Sequence, residues 1–345
     1  MKISTKLFNT TYNLFLPLLC TFELTKHCNL SCCHCYIPPH QRHSSKEKEL
    51  STLTIKRILK QLADAGVLYL VFTGGEVFLR PDIMELCRYA RKTCHFELRV
   101  FSNGILPTAQ HINKLKLFGI SSFDVSLYGT KNTHDTVTGV KGSFKRLMST
   151  IAHCRKQQIP VTIKTPCLTL NEHDIPWLRR FAKNRGIRIQ IDPLITPRND
   201  GDRSPLIYRL SLRSMRRFLK ENKDIIEHET LYDLKENILP AESDASFACS
   251  AGRNSCAIDA EGNLLPCLQV PLVLGNLKKK TFESLWNKNS SLKRYRTITS
   301  RNVNECISCA WSDSCQRCPG LSLIESGGLS SPVPILCSIA KARKS

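Results

Sequence analysis

The feature that most constrains this chain is a loop with three closely spaced cysteines, Cys28, Cys32 and Cys35, followed directly by Tyr36. The loop comes after a short apolar run, Leu18 to Leu24, that is typical of a buried strand. Thiols at this spacing lie on one tight turn, too close together to fold around separate metals. They can bind three corners of a 4Fe–4S cube, whose irons prefer thiolate ligands. The fourth iron then has no protein ligand, and an open position makes a metal site reactive rather than structural.

The motif CxxxCxxC followed by an aromatic residue resembles the radical S-adenosylmethionine (radical SAM) superfamily. In that family the open iron chelates the methionyl amine and carboxylate of the cofactor, and electron transfer from the cluster cleaves the sulfonium to a 5′-deoxyadenosyl radical. The resemblance implies that Cys28, Cys32 and Cys35 hold the SAM-binding cluster and that Tyr36 belongs to the cofactor site. A zinc knuckle, or a group of reduced structural cysteines, is the alternative that the motif alone leaves open.

Six short apolar runs alternate with amphipathic helical stretches up to about residue 192, and they predict six strands. The runs are Leu18–Leu24, Leu68–Phe72, Phe96–Phe101, Ser122–Leu127, Val161–Lys164 and Ile187–Ile191. Six strand–helix repeats predict a parallel sheet that is covered by helices. Periodicity does not separate a doubly wound sheet from an open barrel. The resemblance implies the second: an α/β fold with a partial (β/α)6 TIM-like barrel and a small cysteine-rich C-terminal iron–sulfur domain.

Candidate cofactor contacts follow the ends of these predicted strands. They are Gly74, Gly75 and Glu76 after the second run, Ser102 after the third, Ser126 near the end of the fourth, Lys164 at the end of the fifth and Asp192 after the sixth. In parallel α/β folds the reactive groups collect at the carboxyl ends of the strands, so all of them are expected to face one mouth. No catalytic residue is assigned beyond the cluster.

Three of these positions have more specific expected roles. Gly74-Gly75-Glu76 resembles the family's GGE segment, in which two glycines let the backbone approach the ligand and the strand end accepts hydrogen bonds from the methionyl ammonium. Ser126 and Lys164 are the candidates for the ribose hydroxyls and the methionyl carboxylate, because one offers a hydroxyl group and the other a fixed positive charge.

Eight further cysteines lie near the C-terminus, and their spacing resembles the SPASM extension of radical SAM peptide-modifying enzymes. By that resemblance the nearer auxiliary 4Fe–4S cluster has the ligands Cys249, Cys256, Cys267 and Cys318, and the outer one has Cys306, Cys309, Cys315 and Cys337. The family normally has three residues between its last two close cysteines, whereas this chain has two. Eight thiolates would fill both cubes, which suits electron relay. The alternative is a zinc ribbon. Its two knuckles need roughly 15–20 residues between them, whereas here five residues separate Cys309 from Cys315.

The chain changes character after Asp192. Residues 196–205 are polar and rich in turn-forming residues, without a helical or strand period. We therefore expect a barrel domain over residues 1–205, a helical linker over 206–247 and the iron–sulfur domain over 248–345.

Composition bears on the compartment and on the partners. Seventeen cysteines indicate disulfides or metal, and disulfides require export. Asn9, Asn13 and Pro17 interrupt the only N-terminal apolar stretch, which is too short to span a bilayer. We therefore expect a cytoplasmic protein without a membrane partner. The net charge of +21 can steer an acidic peptide or nucleic acid, but no nucleic-acid-binding motif stands out, so nucleic acid is not an expected partner.

The resemblance is best to maturases of ribosomally made peptides, the group with pyrroloquinoline quinone-type and thioether-forming enzymes. It implies hydrogen abstraction from a peptide carbon, followed by C–C or C–S bond formation or a related oxidation. The implied partners are a peptide or protein substrate, a separate leader-binding protein, and a low-potential electron donor such as flavodoxin or ferredoxin.

Three other functions stay open at this point. Formylglycine maturation of sulfatases uses an acidic residue after the cysteine equivalent to Cys267, and here the next residue is Leu268, which cannot accept a proton. Haem or tetrapyrrole modification by related enzymes is the second. A non-catalytic iron–sulfur or zinc protein that binds a partner is the third, and binding of S-adenosylmethionine would decide against it.

Overall fold

The computed structural model describes residues 5–42, 49–223, 249–299 and 303–344. Nine strands within these ranges form one sheet in the order β6-β5-β4-β3-β2-β1-β7-β8-β9. The strands are β1 Leu19–Glu23, β2 Tyr69–Thr73, β3 Glu97–Ser102, β4 Ser122–Ser126, β5 Val161–Pro166, β6 Arg188–Asp192, β7 Ser255–Ile258, β8 Asn263–Leu265 and β9 Gly275–Asn276.

Helices connect and cover the strands. The α-helices of the described residues are α1 Thr5–Asn13, α2 Pro39–Arg42, α3 Thr52–Asp64, α4 Ile83–Arg88, α5 Ala109–Phe118, α6 Lys131–Thr138, α7 Ser143–Lys156, α8 Ile175–Asn184, α9 Leu212–Glu221, α10 Phe282–Asn287, α11 Ser290–Arg296, α12 Asn304–Ile307, α13 Pro319–Ser326 and α14 Pro334–Lys344. A π-helical turn, Tyr89–Thr93, extends α4, and short 3₁₀ turns occupy Val77–Leu79, Glu172–Asp174, Ser204–Tyr208 and Ser312–Ser314. In this part of the chain, no helix combines the length and the apolar character needed to cross a bilayer.

The first six strands are parallel, and each pairs with the strand that follows it in the chain. A doubly wound sheet reverses its strand order at a switch point, whereas this order runs in one direction from β1 to β6. The one-directional order is that of a barrel wall, and the sheet stays open at β6. The predicted α/β fold with a partial barrel is therefore confirmed.

The strands form where the sequence has apolar runs because a parallel sheet is covered on both faces. β2 shows this directly, since Tyr69 to Phe72 are all buried. The helices contribute one apolar stripe each; in α3 that stripe is Ile55, Ile58, Leu59 and Leu62, all fully buried. The Ser51 side chain caps α3 by accepting a hydrogen bond from the Thr54 backbone N–H.

The C-terminal segment continues the barrel sheet. β7 pairs in parallel with β1, and β8 and β9 follow as antiparallel strands. Helix α10 is joined to the barrel by the backbone N–H of Phe282, which donates to Gln61 Oε1 on α3 at 2.8 Å. The sheet thus crosses the expected boundary at residue 248, because its outer three strands come from the cysteine-rich segment.

Candidate active site

A cavity of about 500 Å³ opens where β2 to β6 end and the cysteine loop begins. All the residues predicted for the first cluster and the cofactor line it, with the exception of Glu76. These lining residues are Cys28, Cys32, Cys35, Tyr36, Gly74, Gly75, Ser102, Ser126, Lys164 and Asp192. The structure therefore brings together side chains that the sequence spreads over more than 160 positions.

Backbone hydrogen bonds hold the cysteine loop in place. The N–H of Ser31 donates to the carbonyl oxygen of Thr138 at 3.0 Å, and the N–H of Cys33 donates to that of Val137 at 3.2 Å. On the other side of the loop, the buried Arg198 donates from Nη1 to the carbonyl oxygen of Cys35 at 2.8 Å. The loop is thus fixed from two elements, which presets the positions of its thiols.

The three thiols are poor acids in the absence of a cation. Burial raises the pKa of Cys28 to about 11. Burial also raises the pKa of Cys32, and the neighbouring Cys35 and Cys28 charges raise it further. Iron would offset both effects, because metal binding replaces the thiol protons. A donor set made only of sulfur suits an iron–sulfur cluster, so the residues fit that group.

The thiols line a space instead of converging on a point. Over residues 5–42, 49–223, 249–299 and 303–344, no three Cys, His, Asp or Glu side chains are arranged to hold a single metal ion.

The two glycines after β2, Gly74 and Gly75, pack closely against protein backbone, whereas their motif suggests a close approach to the ligand. A Cβ on Gly74 would lie 2.4 Å from the carbonyl oxygen of Thr25, and one on Gly75 would lie 2.2 Å from that of His27. In addition, the N–H of Gly75 donates to the Thr25 carbonyl oxygen at 2.8 Å. Glycine is needed here because the end of β2 packs against the backbone that leads into the cysteine loop.

We expect Gly75→Ala to lower the free energy of unfolding by about 3 kcal/mol, the upper part of the usual range for overpacking. The added methyl group meets backbone, which cannot rotate away as a side chain can. Gly66→Ala is the matched control, because its Cβ would meet nothing within 4 Å. Only the left-handed backbone conformation would then lower the free energy of unfolding, by about 1 kcal/mol. Thermal unfolding of both anaerobic proteins checks this, and equal stability of the two variants would contradict it.

Glu76 connects the ends of β2 and β3 from behind the cavity wall. Its carboxylate accepts hydrogen bonds from Ser102 Oγ at 2.9 and 3.1 Å and from the Asn103 backbone N–H at 2.7 Å. Burial raises the pKa of Glu76 to about 7, against the lowering effect of these hydrogen bonds. The contacts of Glu76 and Ser102 are therefore with each other, and their role towards a cofactor stays a prediction.

Lys164 and Ser126 lie side by side, because they are register partners on β5 and β4. The Lys164 Nζ is 3.8 Å from Asp124 Oδ2 and 5.1 Å from the centre of the Phe101 ring. Asp192 lies farther along the wall, where its Oδ1 accepts a hydrogen bond from the Leu194 N–H at 2.8 Å. Lys164 and two carboxylate residues, Asp124 and Asp192, thus line the same cavity.

Several lining residues were not predicted from the sequence. Gln190 is the clearest, since its amide oxygen is buried and accepts no hydrogen bond from the described residues. Gln190 and Asp192 are two positions apart on β6, so they share one face of the strand. That period of two was the signal that could have identified Gln190. His34 and Tyr128 also line the cavity, with ring centres 4.9 Å apart.

Tyr36 links the cysteine loop to the first strand. Its hydroxyl donates to Glu23 Oε1 at 2.7 Å, and Glu23 is buried while Tyr36 is half-buried at the cavity. Burial raises the pKa of Glu23 to about 7. The Cys267 charge is among the groups that raise the pKa of Tyr36. Tyr36 therefore lies between the first cysteine loop and the C-terminal cysteines.

Three of the four cysteines predicted for the nearer auxiliary cluster lie together. Burial raises the pKa of Cys249 to about 12, and the charges of Cys267 and Cys318 raise it further. The Gln269 N–H donates to Cys267 Sγ at 3.5 Å. We call Cys249, Cys267 and Cys318 the inner set.

The structure does not bring Cys256 to the inner set. Cys256 is the register partner of Cys20 on β1, and its thiol donates to the carbonyl oxygen of Leu19 at 3.7 Å. Both cysteines are buried in the main apolar core. Sequence spacing alone does not tell which face of a strand a cysteine occupies, and here β7 turns Cys256 towards the core.

The remaining four cysteines form a second group, which we call the outer set: Cys306, Cys309, Cys315 and Cys337. Arg317, in the shortened gap before Cys318, directs Nη1 towards Cys306 Sγ at 4.0 Å. Its Nη2 donates to the carbonyl oxygens of Leu329 and Ser331 at 3.2 and 3.0 Å. No sequence pattern predicted this buried cation beside the thiols.

Two family models match the chain. The model described as the radical SAM superfamily matches residues 22–182, and the SPASM model, described as an iron–sulfur cluster-binding domain, matches residues 249–319. Together the two models span more than half of the sequence. The first contains the cavity strands β2 to β5 but ends before β6, and the second contains the inner set.

Curated proteins and a solved structure resemble the chain over most of its length. An AdoMet-dependent heme synthase of Methanosarcina barkeri is 28% identical, covering 88% of this chain and 91% of that protein. The antilisterial bacteriocin subtilosin biosynthesis protein AlbA of Bacillus subtilis is also 28% identical, covering 88% of this chain and 67% of that protein. The crystal structure of Streptococcus suis SuiB bound to the precursor peptide SuiA has a TM-score of 0.71 at 19% identity, covering 96% of this chain and 79% of that one.

Proposed function

We propose that this chain, which belongs to the radical SAM superfamily and carries a SPASM domain, modifies a ribosomally made peptide. It is an enzyme that uses iron–sulfur clusters and S-adenosylmethionine. The modification that we propose is C–C or C–S bond formation, or a related oxidation of a peptide side chain.

The observation that carries the proposal is the size of the cavity. Its volume of about 500 Å³ is within the range of ~300–1,000 Å³ for pockets that enclose one drug-sized ligand. The cofactor would occupy part of this space, and a single side chain of the substrate would fit beside it. A peptide presents single side chains in this way, whereas a tetrapyrrole brings four joined rings.

The cavity residues have distinct roles in this proposal. When bound, S-adenosylmethionine and its cluster supply a carbon radical that abstracts hydrogen. Lys164 would pair with the methionyl carboxylate, and Ser126 beside it would bind the ribose hydroxyls. Leu30, Val125 and Ile195 give the wall apolar patches that exclude water, which would otherwise reach the reacting carbon.

Gln190 extends this set of roles. Its unsatisfied buried amide oxygen points to a donor supplied by the ligand, because an unpaired buried acceptor costs about 1–3 kcal/mol. We assign that donor to the cofactor or to the peptide backbone.

Relatives support a peptide substrate as well. SuiB has been solved with a precursor peptide bound, and AlbA is a bacteriocin biosynthesis protein. We extend the proposal to the partners: a low-potential donor such as flavodoxin or ferredoxin delivers the electrons, and a separate protein binds the peptide leader.

Tetrapyrrole modification is the second candidate, and a specific observation favours it. The chain matches the haem synthase of Methanosarcina barkeri over 91% of that protein's length. A tetrapyrrole would have to enter the same cavity of about 500 Å³ beside the cofactor. Formylglycine maturation is less well supported, because Leu268 offers no proton acceptor.

The decisive experiment supplies the reconstituted enzyme with a peptide encoded beside its gene, under anaerobic conditions with a reductant. We expect the peptide to lose the mass of hydrogen atoms, and we expect this loss to depend on S-adenosylmethionine. An unchanged peptide, together with conversion of an iron tetrapyrrole in a parallel assay, would replace the proposal by its second candidate.

Peptide binding should weaken steeply with salt. The formal charge of +21 attracts an acidic leader, and attraction between exposed charges is screened over about 8 Å at physiological ionic strength. The loss should appear mainly in the association rate, while binding of S-adenosylmethionine in its cavity changes far less. A salt titration that follows both affinities checks this. Flat peptide affinity would mean that the positive surface serves only solubility.

A further inference from the structure

We propose that Arg317, together with Arg343, raises the reduction potential of the outer auxiliary cluster by placing positive charge beside its cysteine ligands. Neither arginine is among the described residues that line the cavity, so both act through the outer cluster and not on the substrate. The inference rests on the iron–sulfur role of the outer set, and it does not depend on a peptide substrate.

The position of Arg317 in the chain connects the two groups of C-terminal cysteines. It lies in the two-residue gap between Cys315 of the outer set and Cys318 of the inner set. Its side chain turns towards the outer set, where Nη1 is 4.0 Å from Cys306 Sγ. When that sulfur is a thiolate, the contact pairs a cation with an anion, and such charge-assisted contacts are stronger than neutral ones.

The other end of the Arg317 guanidinium is held by neutral oxygen atoms. Its Nη2 donates to the carbonyl oxygens of Leu329 at 3.2 Å and Ser331 at 3.0 Å, and to Ser322 Oγ at 3.4 Å. These contacts fix the group without cancelling its charge, and a guanidinium does not lose its proton in proteins. Arg317 is only 8% exposed, so a permanent charge is held inside the small domain.

The effect on the cluster follows from its charge. A 4Fe–4S cube gains one negative charge when it takes up one electron, and its potential depends on net charge, on hydrogen bonds to the sulfurs and on solvent exposure. A fixed cation beside a ligand sulfur therefore stabilises the reduced cluster more than the oxidised one. Because the cation is buried, water and salt screen it much less than they screen a surface charge.

Arg343 approaches the outer set from helix α14. Its Nη1 donates to the carbonyl oxygen of Ser314 at 3.3 Å, and its Nη2 donates to Gln316 Oε1 at 3.1 Å. Ser314 and Gln316 are the residues on either side of Cys315. The second guanidinium thus lies against the backbone that carries another ligand of the outer cluster, and its charge acts in the same direction as that of Arg317.

An acidic side chain next to the outer set opposes these cations only weakly. Glu305 precedes Cys306 in the chain and is exposed. Burial raises the pKa of Cys306, the Arg317 charge lowers it, and Glu305 raises it by a smaller effect. The exposed carboxylate is screened by solvent, so the positive charge dominates at this ligand.

The test uses full-length protein in which Cys28, Cys32 and Cys35 are alanine, so that only the auxiliary clusters contribute to the spectrum. Reconstituted anaerobically, this parent protein should hold ~8 iron per chain in two cubes. A reductive titration followed by electron paramagnetic resonance gives the midpoint potential of each cluster. Cys249→Ala removes the signal of the inner cluster and so identifies that of the outer one.

Arg317→Gln in this background should keep ~8 iron and lower the potential of the outer cluster. We expect its one-electron reduction constant to fall at least about tenfold, which corresponds to about 59 mV, while the inner cluster changes less. Lys293→Gln is the matched control, because it removes the same charge from an exposed position on α11. It should leave both potentials unchanged.

An unchanged outer potential in Arg317→Gln, or an equal fall in Lys293→Gln, would overturn the proposal. If Arg317→Gln does not hold the outer cluster, Arg343→Gln decides in the same way, because it leaves the contact with Cys306 in place: a lowered outer potential supports the proposal and an unchanged one overturns it. A parent protein with ~4 iron would have no outer cluster, and the inference would fail with it. No peptide is used, so failure of the peptide proposal would leave these results unaffected.

Discussion

Replacing Cys28, Cys32 and Cys35 together by alanine is expected to reduce cleavage of S-adenosylmethionine to the uncatalysed background. The three thiols are the cysteines that the loop presents to the cavity, and alanine offers iron no ligand. The loop keeps its backbone contacts with Thr138 and Arg198, so the chain should still fold. Release of 5′-deoxyadenosine under reducing conditions is the measurement.

Cys33→Ala is the matched control for this prediction. Cys33 lies in the same loop, but its thiol faces Tyr208 and does not line the cavity. We expect this variant to cleave the cofactor at close to the normal rate. Cleavage that persists in the triple variant, or that is lost in Cys33→Ala, would contradict the assignment of the loop.

Cys306→Ala is expected to separate cofactor cleavage from product formation. The cavity residues do not include the outer set, so cleavage should be preserved. Product should fall at least about tenfold, which corresponds to about 1.4 kcal/mol in the electron-transfer step that depends on the outer cluster. Cleavage and peptide product are measured in the same reaction. Full turnover would show that the outer cluster is dispensable.

Ligand loss is coupled to folding, so the outer set needs its own control. Ser308 lies between Cys306 and Cys309 and is exposed, and Ser308→Ala should leave both activities unchanged. Thermal unfolding of Cys306→Ala then distinguishes a missing electron relay from a small domain that has lost its fold. If Cys306→Ala loses both cofactor cleavage and its cooperative unfolding transition, the small domain has lost its fold.

The barrel strands were predictable because each combines an apolar run with a polar end. Burial on both faces forces such runs, and the runs at residues 68–72 and 122–127 became β2 and β4 with shifts of at most one residue at either end. The strands of the C-terminal segment were not predictable. β7, β8 and β9 are four, three and two residues long, too short to show a period, and the pairing of Cys256 with Cys20 spans more than 200 residues of sequence.

The residues of the candidate site also divide into those that the sequence predicts and those that it does not. Residues at strand ends, such as Lys164 and Asp192, were predicted because parallel strands deliver their ends to one mouth. Gln190 was missed because it lies inside a strand and not at its end, and only its two-residue spacing from Asp192 indicates that it faces the cavity. The position of Cys256 could not be predicted, because spacing along the chain does not specify a strand face.

Metal analysis of the anaerobically reconstituted protein tests the central claim, that one chain holds a cofactor-binding cluster and two auxiliary clusters. Three 4Fe–4S cubes correspond to ~12 iron and ~12 sulfide per chain, and the triple cysteine variant should hold ~8 of each. A value of ~4 iron, with zinc making up the rest, would contradict the account of the C-terminal cysteines and leave only the barrel site.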